Sequence, residues 1–131
     1  MKVLALDYGS ARTGVAVSDP TGTVARPVGV VERASTEAGL ARLAELVRAE
    51  NPERIVVGLP LTLRGDRGEQ AIETERFVEA LRGAVDVPIE SFDERFTTAL
   101  ASQTGSHSSE DARAAAHLLT SYLAWRSSRT S

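Results

Sequence analysis

The feature that most constrains this chain is Val3-Leu4-Ala5-Leu6, a short unbroken apolar run that stops at Asp7 and hands over to Tyr8-Gly9-Ser10-Ala11-Arg12-Thr13-Gly14. Such a run, bounded by a glycine-punctuated segment, reads as a strand covered on both faces. Residues 15–19 read as a second strand ending in the turn Asp19-Pro20-Thr21-Gly22, so the two form a hairpin with a carboxylate at one end. A strand tip fixes ligand geometry better than a loop does, and Mg2+ and Mn2+ prefer hard oxygen ligands. Asp7 therefore suits a divalent cation. It also suits a plain strand-ending turn, and the choice rests on what else converges there.

Downstream, residues 24–32 form a third extended segment, with Pro27 and Gly29 favouring an outer or bent position in a sheet. Ser35 and Thr36 are caps for a helix to about Glu50, with Leu40, Leu43 and Val47 at helical spacing; Asn51-Pro52 stops it. Residues 54–58 are a continuous apolar strand, and a glycine-rich loop then leads into a helix over 69–82 that turns Thr74, Phe77, Val78 and Leu81 inward. Residues 88–93 make the fifth strand. The last helix is expected to begin near Ser109, with Ala112, Ala115, Ala116, Leu119, Tyr122 and Leu123 along one face and Leu118 and Trp125 beside it.

No repeat or linker divides the chain, and 131 residues supply one core but hardly two, giving a single domain over 1–126 and a polar, fraying tail over 127–131. The absence of cysteine excludes disulfide frameworks, thiolate zinc sites and thiol nucleophiles, and fits a reducing cytoplasm. No leader-like start and no long apolar run point to secretion or membrane insertion. A net charge of −3 argues against global coating of nucleic acid and leaves room only for a local basic patch.

The order β-β-β-α-β-α-β-α predicts an α/β fold: a three-strand meander continued by helix-separated strands gives a mixed five-stranded sheet with helices on both faces. This is the ribonuclease H-like arrangement. There the first strand is central and its end meets the start of the last helix, so Asp7 and Asp111 approach, and Asp93 or Glu94 supplies a third acid from the same sheet edge. Converging carboxylates repel one another unless cations are present, and a metal pair about 3.5–4 Å apart serves phosphodiester hydrolysis. Taken alone, Asp111 also reads as part of an ordinary acidic first helical turn behind Ser108 and Ser109.

Four motifs in order, Asp7-Tyr8-Gly9-Ser10-Ala11-Arg12-Thr13-Gly14-Val15-Ala16, Val57-Gly58-Leu59-Pro60-Leu61, Asp93-Glu94-Arg95-Phe96-Thr97-Thr98, and Asp111 followed by Ala115, Ala116, Leu119 and Tyr122, resemble the YqgF/RuvX family, relatives of the RuvC-type Holliday-junction resolvases. The resemblance spans nearly the whole chain. It implies a nuclease dependent on Mg2+ or Mn2+ at a two-metal site, with Asp7, Glu94 and Asp111 as metal ligands and Asp93 close by. It further implies nucleic acid as partner, with maturation of the 5′ end of pre-16S ribosomal RNA or junction cleavage as the activity. The segment between Arg95 and Asp111 is shorter than in relatives and lacks lysine.

Arg12 and Arg95 flank the proposed ligands, where a guanidinium either holds a phosphate or neutralises the acids as an ion pair. Gly9 belongs with them as a substrate contact, because glycine lets backbone approach a ligand closely. A non-catalytic nucleic-acid-binding assembly module is an alternative, opposed by the intact acid set. The motif Asp7-x-Gly9 also matches the phosphate-binding element of actin-like ATPases, which need a second lobe that a chain of this size does not supply. Junction cleavage would make a homodimer natural, since two strands need two sites.

Overall fold

The computed structural model describes residues 1–61, 64, 68–94 and 107–130. Three antiparallel strands, β1 (Val3–Asp7), β2 (Arg12–Ser18) and β3 (Ala25–Glu32), are followed by α1 (Glu37–Glu50), β4 (Arg54–Leu59), α2 (Glu69–Arg82), β5 (Ile89–Asp93) and α3 (His107–Thr130). The strands form one sheet in the order β3-β2-β1-β4-β5, with β1 central, antiparallel to β2 and parallel to β4. The mixed ribonuclease H-like architecture expected from the element order is the one observed.

Alternation along the strands sorts the two faces. Leu4 and Leu6 of β1, Val15 of β2, and Ile55 and Val57 of β4 pack beneath α1 and α2 against Leu43, Val47, Phe77, Val78 and Leu81. Val3 and Ala5, Ala16, Val56 and Phe92 point the other way, onto Ala115, Leu118, Leu119 and Tyr122 of α3. Burial on both sides explains why β1 and β4 read as unbroken apolar runs rather than alternating ones.

Several local signals act as read. Thr36 caps α1, its Oγ1 accepting from the Gly39 amide at 3.1 Å, and Asn51 ends the helix in the left-handed region at φ 51°. Asp19 organises the turn after β2, its Oδ1 accepting from the amides of Thr23 and Val24 at 2.7 and 2.8 Å. The Thr21 hydroxyl, which donates to Asp19 Oδ2, and then these two amides hold the carboxyl well below the ordinary carboxylate range. Pro27 lies where the β2–β3 register shifts, as suits a residue with no amide to donate.

Three boundaries differ. β2 begins at Arg12 rather than residue 15, because Gly14 pairs with Asp7 and Arg12 with Glu32; ladder pairing, not apolar alternation, extends it. α3 starts at His107, before the expected Ser109, and continues through the polar residues 127–130 that were set apart as a fraying tail. On α3, Leu118 is buried while Ala116 and Leu123 are only partly so, a small rotation of the expected face toward Phe92 of β5. Among the described residues no helix is long and apolar enough to cross a membrane.

Gly14 is the tightest packing point of this fold. A Cβ built there would lie 1.9 Å from the Asp111 carbonyl oxygen, so α3 rests at Asp111 directly on β2 backbone. Gly29, by contrast, has nothing within 4 Å of such a Cβ. Gly14→Ala is expected to destabilise the domain by about 1–3 kcal/mol or more through overpacking. Gly29→Ala should change stability by no more than about 0.5 kcal/mol. Urea denaturation of the two variants checks both values, and equal effects would show that α3 does not need the gap.

Candidate active site

Strand parity decides which acids can meet. Asp7 follows Val3 and Ala5 on the α3 face of β1, while Tyr8 turns to the other face and stacks on Phe77 of α2 at 4.4 Å between ring centroids. Gly14 shares the α3 face through Ala16, and Gly58 does so through Val56. Asp7 therefore stands between two glycines on neighbouring strands. Gly14, its direct partner in the ladder, admits the backbone of α3 at Asp111. Gly58 admits Glu94: a Cβ there would lie 2.5 Å from Glu94 Oε2. Two absent side chains thus make room for two carboxylates beside a third.

On β5, Phe92 faces α3, and Glu90 does too, since it accepts from the Tyr122 hydroxyl of that helix at 2.7 Å. Even positions belong to that face, so Asp93 falls on the opposite side, while Glu94, just past the end of β5, is brought to Asp7 over Gly58. Asp7 and Glu94 are hydrogen-bonded to one another. Burial and the neighbouring negative charges of Asp7 and Asp93 push the Glu94 carboxyl up to about 7. Burial also raises Asp7, and the charge of Asp111 raises it further. The bond between them raises Glu94 and lowers Asp7, so the proton of the pair resides on Glu94, and the rise at Asp7 comes from its burial and from Asp111.

Asp111 is neutralised differently. Its Oδ2 lies 2.8 Å from Nε of Arg12, another α3-facing residue of β2. The pair is close but not aligned as a hydrogen bond, and the buried Oδ2 has no hydrogen-bond donor among the described residues. Among the described residues no three acidic or histidine side chains already stand close enough to hold a metal ion. The donors nonetheless fit a hard divalent cation: all are carboxylate oxygens, two are held together at a raised affinity for a positive partner, and a third keeps a buried oxygen unspent.

A cleft of about 150 Å³ opens beside the pair, between Asp7, Gly9, Ser10, Pro60, Glu73 and Glu94. Gly9 is at its rim, where its own geometry already demands glycine, since a Cβ would lie 2.5 Å from the Arg12 carbonyl oxygen. Tyr8 and Glu73 are wall residues that the sequence did not disclose; the Tyr8 hydroxyl donates to Glu73 Oε2 at 3.1 Å. Their pairing joins the β1–β2 turn to α2, a contact with no local sequence signal. Arg95 lies outside the described residues.

The fold is that of a resolvase-type ribonuclease H-like protein. RuvC from Thermus thermophilus, solved in complex with a Holliday junction substrate, superposes with a TM-score of 0.64 at 20% identity, covering 98% of this chain and 96% of that one. Residues 1–125 match the family model described as RuvX, Holliday junction resolvase, and the chain belongs to the RuvX family. A Chloroflexus aurantiacus protein named "Putative pre-16S rRNA nuclease" is 44% identical over 101 residues, 77% of this chain and 66% of the relative. A relative of the same name from Chloroflexus aggregans is 44% identical over 77% of this chain and 71% of its own length. The chain thus spans about two thirds of the length of these curated relatives.

The raised carboxyls carry a stability signature. Between about pH 4.5 and 7 the folded chain holds a proton on Glu94 that the unfolded chain releases, so this contribution is complete below that window and lost as pH rises through it. In EDTA, the wild-type domain should therefore lose stability from pH 5 to pH 8, and Glu94→Gln should flatten that slope. Chemical denaturation at both pH values measures it, and a wild-type slope of the opposite sign would overturn the shared-proton assignment.

Proposed function

We propose that this chain is a divalent-metal-dependent nuclease that hydrolyses phosphodiester bonds, acting on the 5′ end of pre-16S ribosomal RNA. The observation that carries the proposal is the half-buried Asp7–Glu94 acid pair, open to a cleft and close to Asp111 of α3. The relatives' shared name supports ribosomal RNA as substrate. The family description and the resolvase fold favour a second reading, cleavage of a four-way junction, for which a homodimer would supply two sites.

Asp7, Glu94 and Asp111 are the residues that would hold Mg2+ or Mn2+, which when bound supplies a nucleophilic hydroxide at neutral pH and stabilises the leaving oxygen. Asp7 is the fixed member, anchored at the tip of the central strand. Glu94 would hold the cation in its deprotonated form; Asp93, on the other side of β5, raises its affinity for the proton through its charge. Asp111, whose Oδ2 rests against Arg12, would supply the third carboxylate. Arg12, beside Asp111, would hold a phosphate oxygen and stabilise charge as it develops. Arg95 and Gly9 are assigned to the same strand of substrate, Gly9 by allowing close approach at the rim of the cleft.

Labelled precursor ribosomal RNA, single-stranded RNA, single-stranded DNA and a four-way junction, offered in parallel with Mn2+ or Mg2+, test the reading. Cleavage should be abolished by EDTA without unfolding. Asp7→Asn and Asp111→Asn should each reduce turnover by about a hundredfold or more, and the double variant should be little worse than either single one, because ligands of one site act as a unit. Thermal stability of Asp7→Asn should be unchanged or slightly raised, since one clustered charge is removed. Activity in EDTA, or multiplicative losses in the double variant, would refute the single-site mechanism.

A further inference from the structure

The α3 face of the sheet has a second polar end, opposite the acids. Arg54 opens β4 on that face, and its Nη1 donates to Glu90 Oε1 at 3.0 Å. The same oxygen accepts from the Tyr122 hydroxyl at 2.7 Å, and Arg126 Nη1 donates to that hydroxyl at 3.3 Å. Beyond them the Arg129 guanidinium lies 4.9 Å from the centre of the Trp125 ring. These residues line an open pocket of about 340 Å³ in which three arginines face one carboxylate. Arg54 Nε is buried there without any hydrogen-bond acceptor among the described residues. On a chain of net charge −3 this is a local excess of positive charge.

Structure alone does not need this concentration. Glu90 can satisfy one guanidinium, and the remaining two add mutual repulsion that folding must absorb. Trp125 is held edge-on by Phe92 and tilted against Tyr122, with ring centroids 5.5 and 6.1 Å away, which makes it a rigid, partly exposed aromatic platform. Guanidiniums beside a fixed indole are the pairing that holds a nucleic-acid strand: forked donors for phosphate, a ring for a base. The pocket stands roughly 20 Å along α3 from Asp111, at about 1.5 Å per residue. That distance is spanned by about six nucleotides of a stacked helical strand, at roughly 3.4 Å of axial rise each, and by fewer of an extended one.

We propose that Arg54, Trp125, Arg126 and Arg129 form a second nucleic-acid site that grips the phosphodiester backbone of the strand whose scissile bond lies at the acids. It deepens the nuclease reading and rests on it. The site takes strand length rather than base sequence as its recognition element, since it offers phosphate donors and a stacking face but no aligned set of base-edge contacts.

Trp125 is the single tryptophan of the chain, so its fluorescence reports the pocket directly. The full-length protein in EDTA is titrated with labelled single-stranded RNA of roughly 12 nucleotides and with a dinucleotide, anisotropy giving affinity and Trp125 emission giving location. The longer strand should change Trp125 emission. Arg126→Gln combined with Arg129→Glu should weaken its binding about tenfold at low salt and reduce the salt slope by about one to two, leaving dinucleotide binding unchanged. Arg129→Glu alone, at an exposed position that leaves the Tyr122 network in place, should give part of the loss with an unaltered melting temperature. If the longer strand binds wild type and variants equally and Trp125 emission stays fixed, the second site is refuted while the nuclease reading stands. If inorganic phosphate alone saturates the emission change and chain length has no effect, the pocket is a free-phosphate site and the assignment to a strand falls. If no nucleic acid binds or is cleaved under any condition, both readings fall together.

Discussion

The backbone of α3 touches the backbone of β2 at Gly14, where the Asp111 carbonyl occupies the space a side chain would need. That contact fixes how far the last helix can descend onto the central sheet, and with it the height of Asp111 above Asp7. Gly58 does the same on the other side of β1 for Glu94. A methyl group at Gly14 would meet the backbone of α3 at Asp111, and one at Gly58 would meet the Glu94 side chain. The apolar layer of Ala115, Leu118, Leu119 and Tyr122 against Val3, Ala5, Val56 and Phe92 then holds the helix at that depth. Packing energy from the middle of the face positions charges that would not choose to be together.

Those charges are contained in two ways. Asp111 takes the Arg12 guanidinium, and Asp7 and Glu94 hold a proton between them. Neither device disposes of the charge permanently. A proton with an affinity near neutrality leaves readily, and an ion pair whose 2.8 Å contact is not a hydrogen bond keeps lone-pair capacity. Clustered, partly buried acids of this kind are commonly less stabilising than an apolar replacement, and perturbed carboxyls of this kind gather at functional sites. The far end of the same face shows the converse chemistry, with guanidiniums gathered about Glu90 and Trp125.

Much of this was legible in the chain. The limits of α2 follow from the glycine-rich loop before it and its four inward residues, and Thr36 and Asn51 mark the ends of α1 by cap chemistry that needs no tertiary information. The hairpin from Asp7 to Gly14 was readable because the apolar run ends so sharply. The start of β2 was not, since Arg12, Thr13 and Gly14 carry no apolar alternation and are strand only because Asp7 and Glu32 pair with Gly14 and Arg12. The identity of the acid nearer Asp7 was open between Asp93 and Glu94. Parity from Phe92 selects Glu94, but only once Phe92 is known to face α3.

The sequence by itself determined the local periods: which stretches are strands or helices, which residues share a face, and that carboxylates end the first and fifth strands and open the last helix. Tertiary structure alone decided that Gly14 and Gly58 are gaps rather than flexible links, that Arg12 is spent on Asp111, and that Tyr8 reaches Glu73. The physical reason is range. Periodicity and capping are set by neighbours within a few residues, whereas the meeting of Asp7, Glu94 and Asp111 depends on ladder register and on the depth of one helix over the sheet, both fixed by packing between distant parts of the chain.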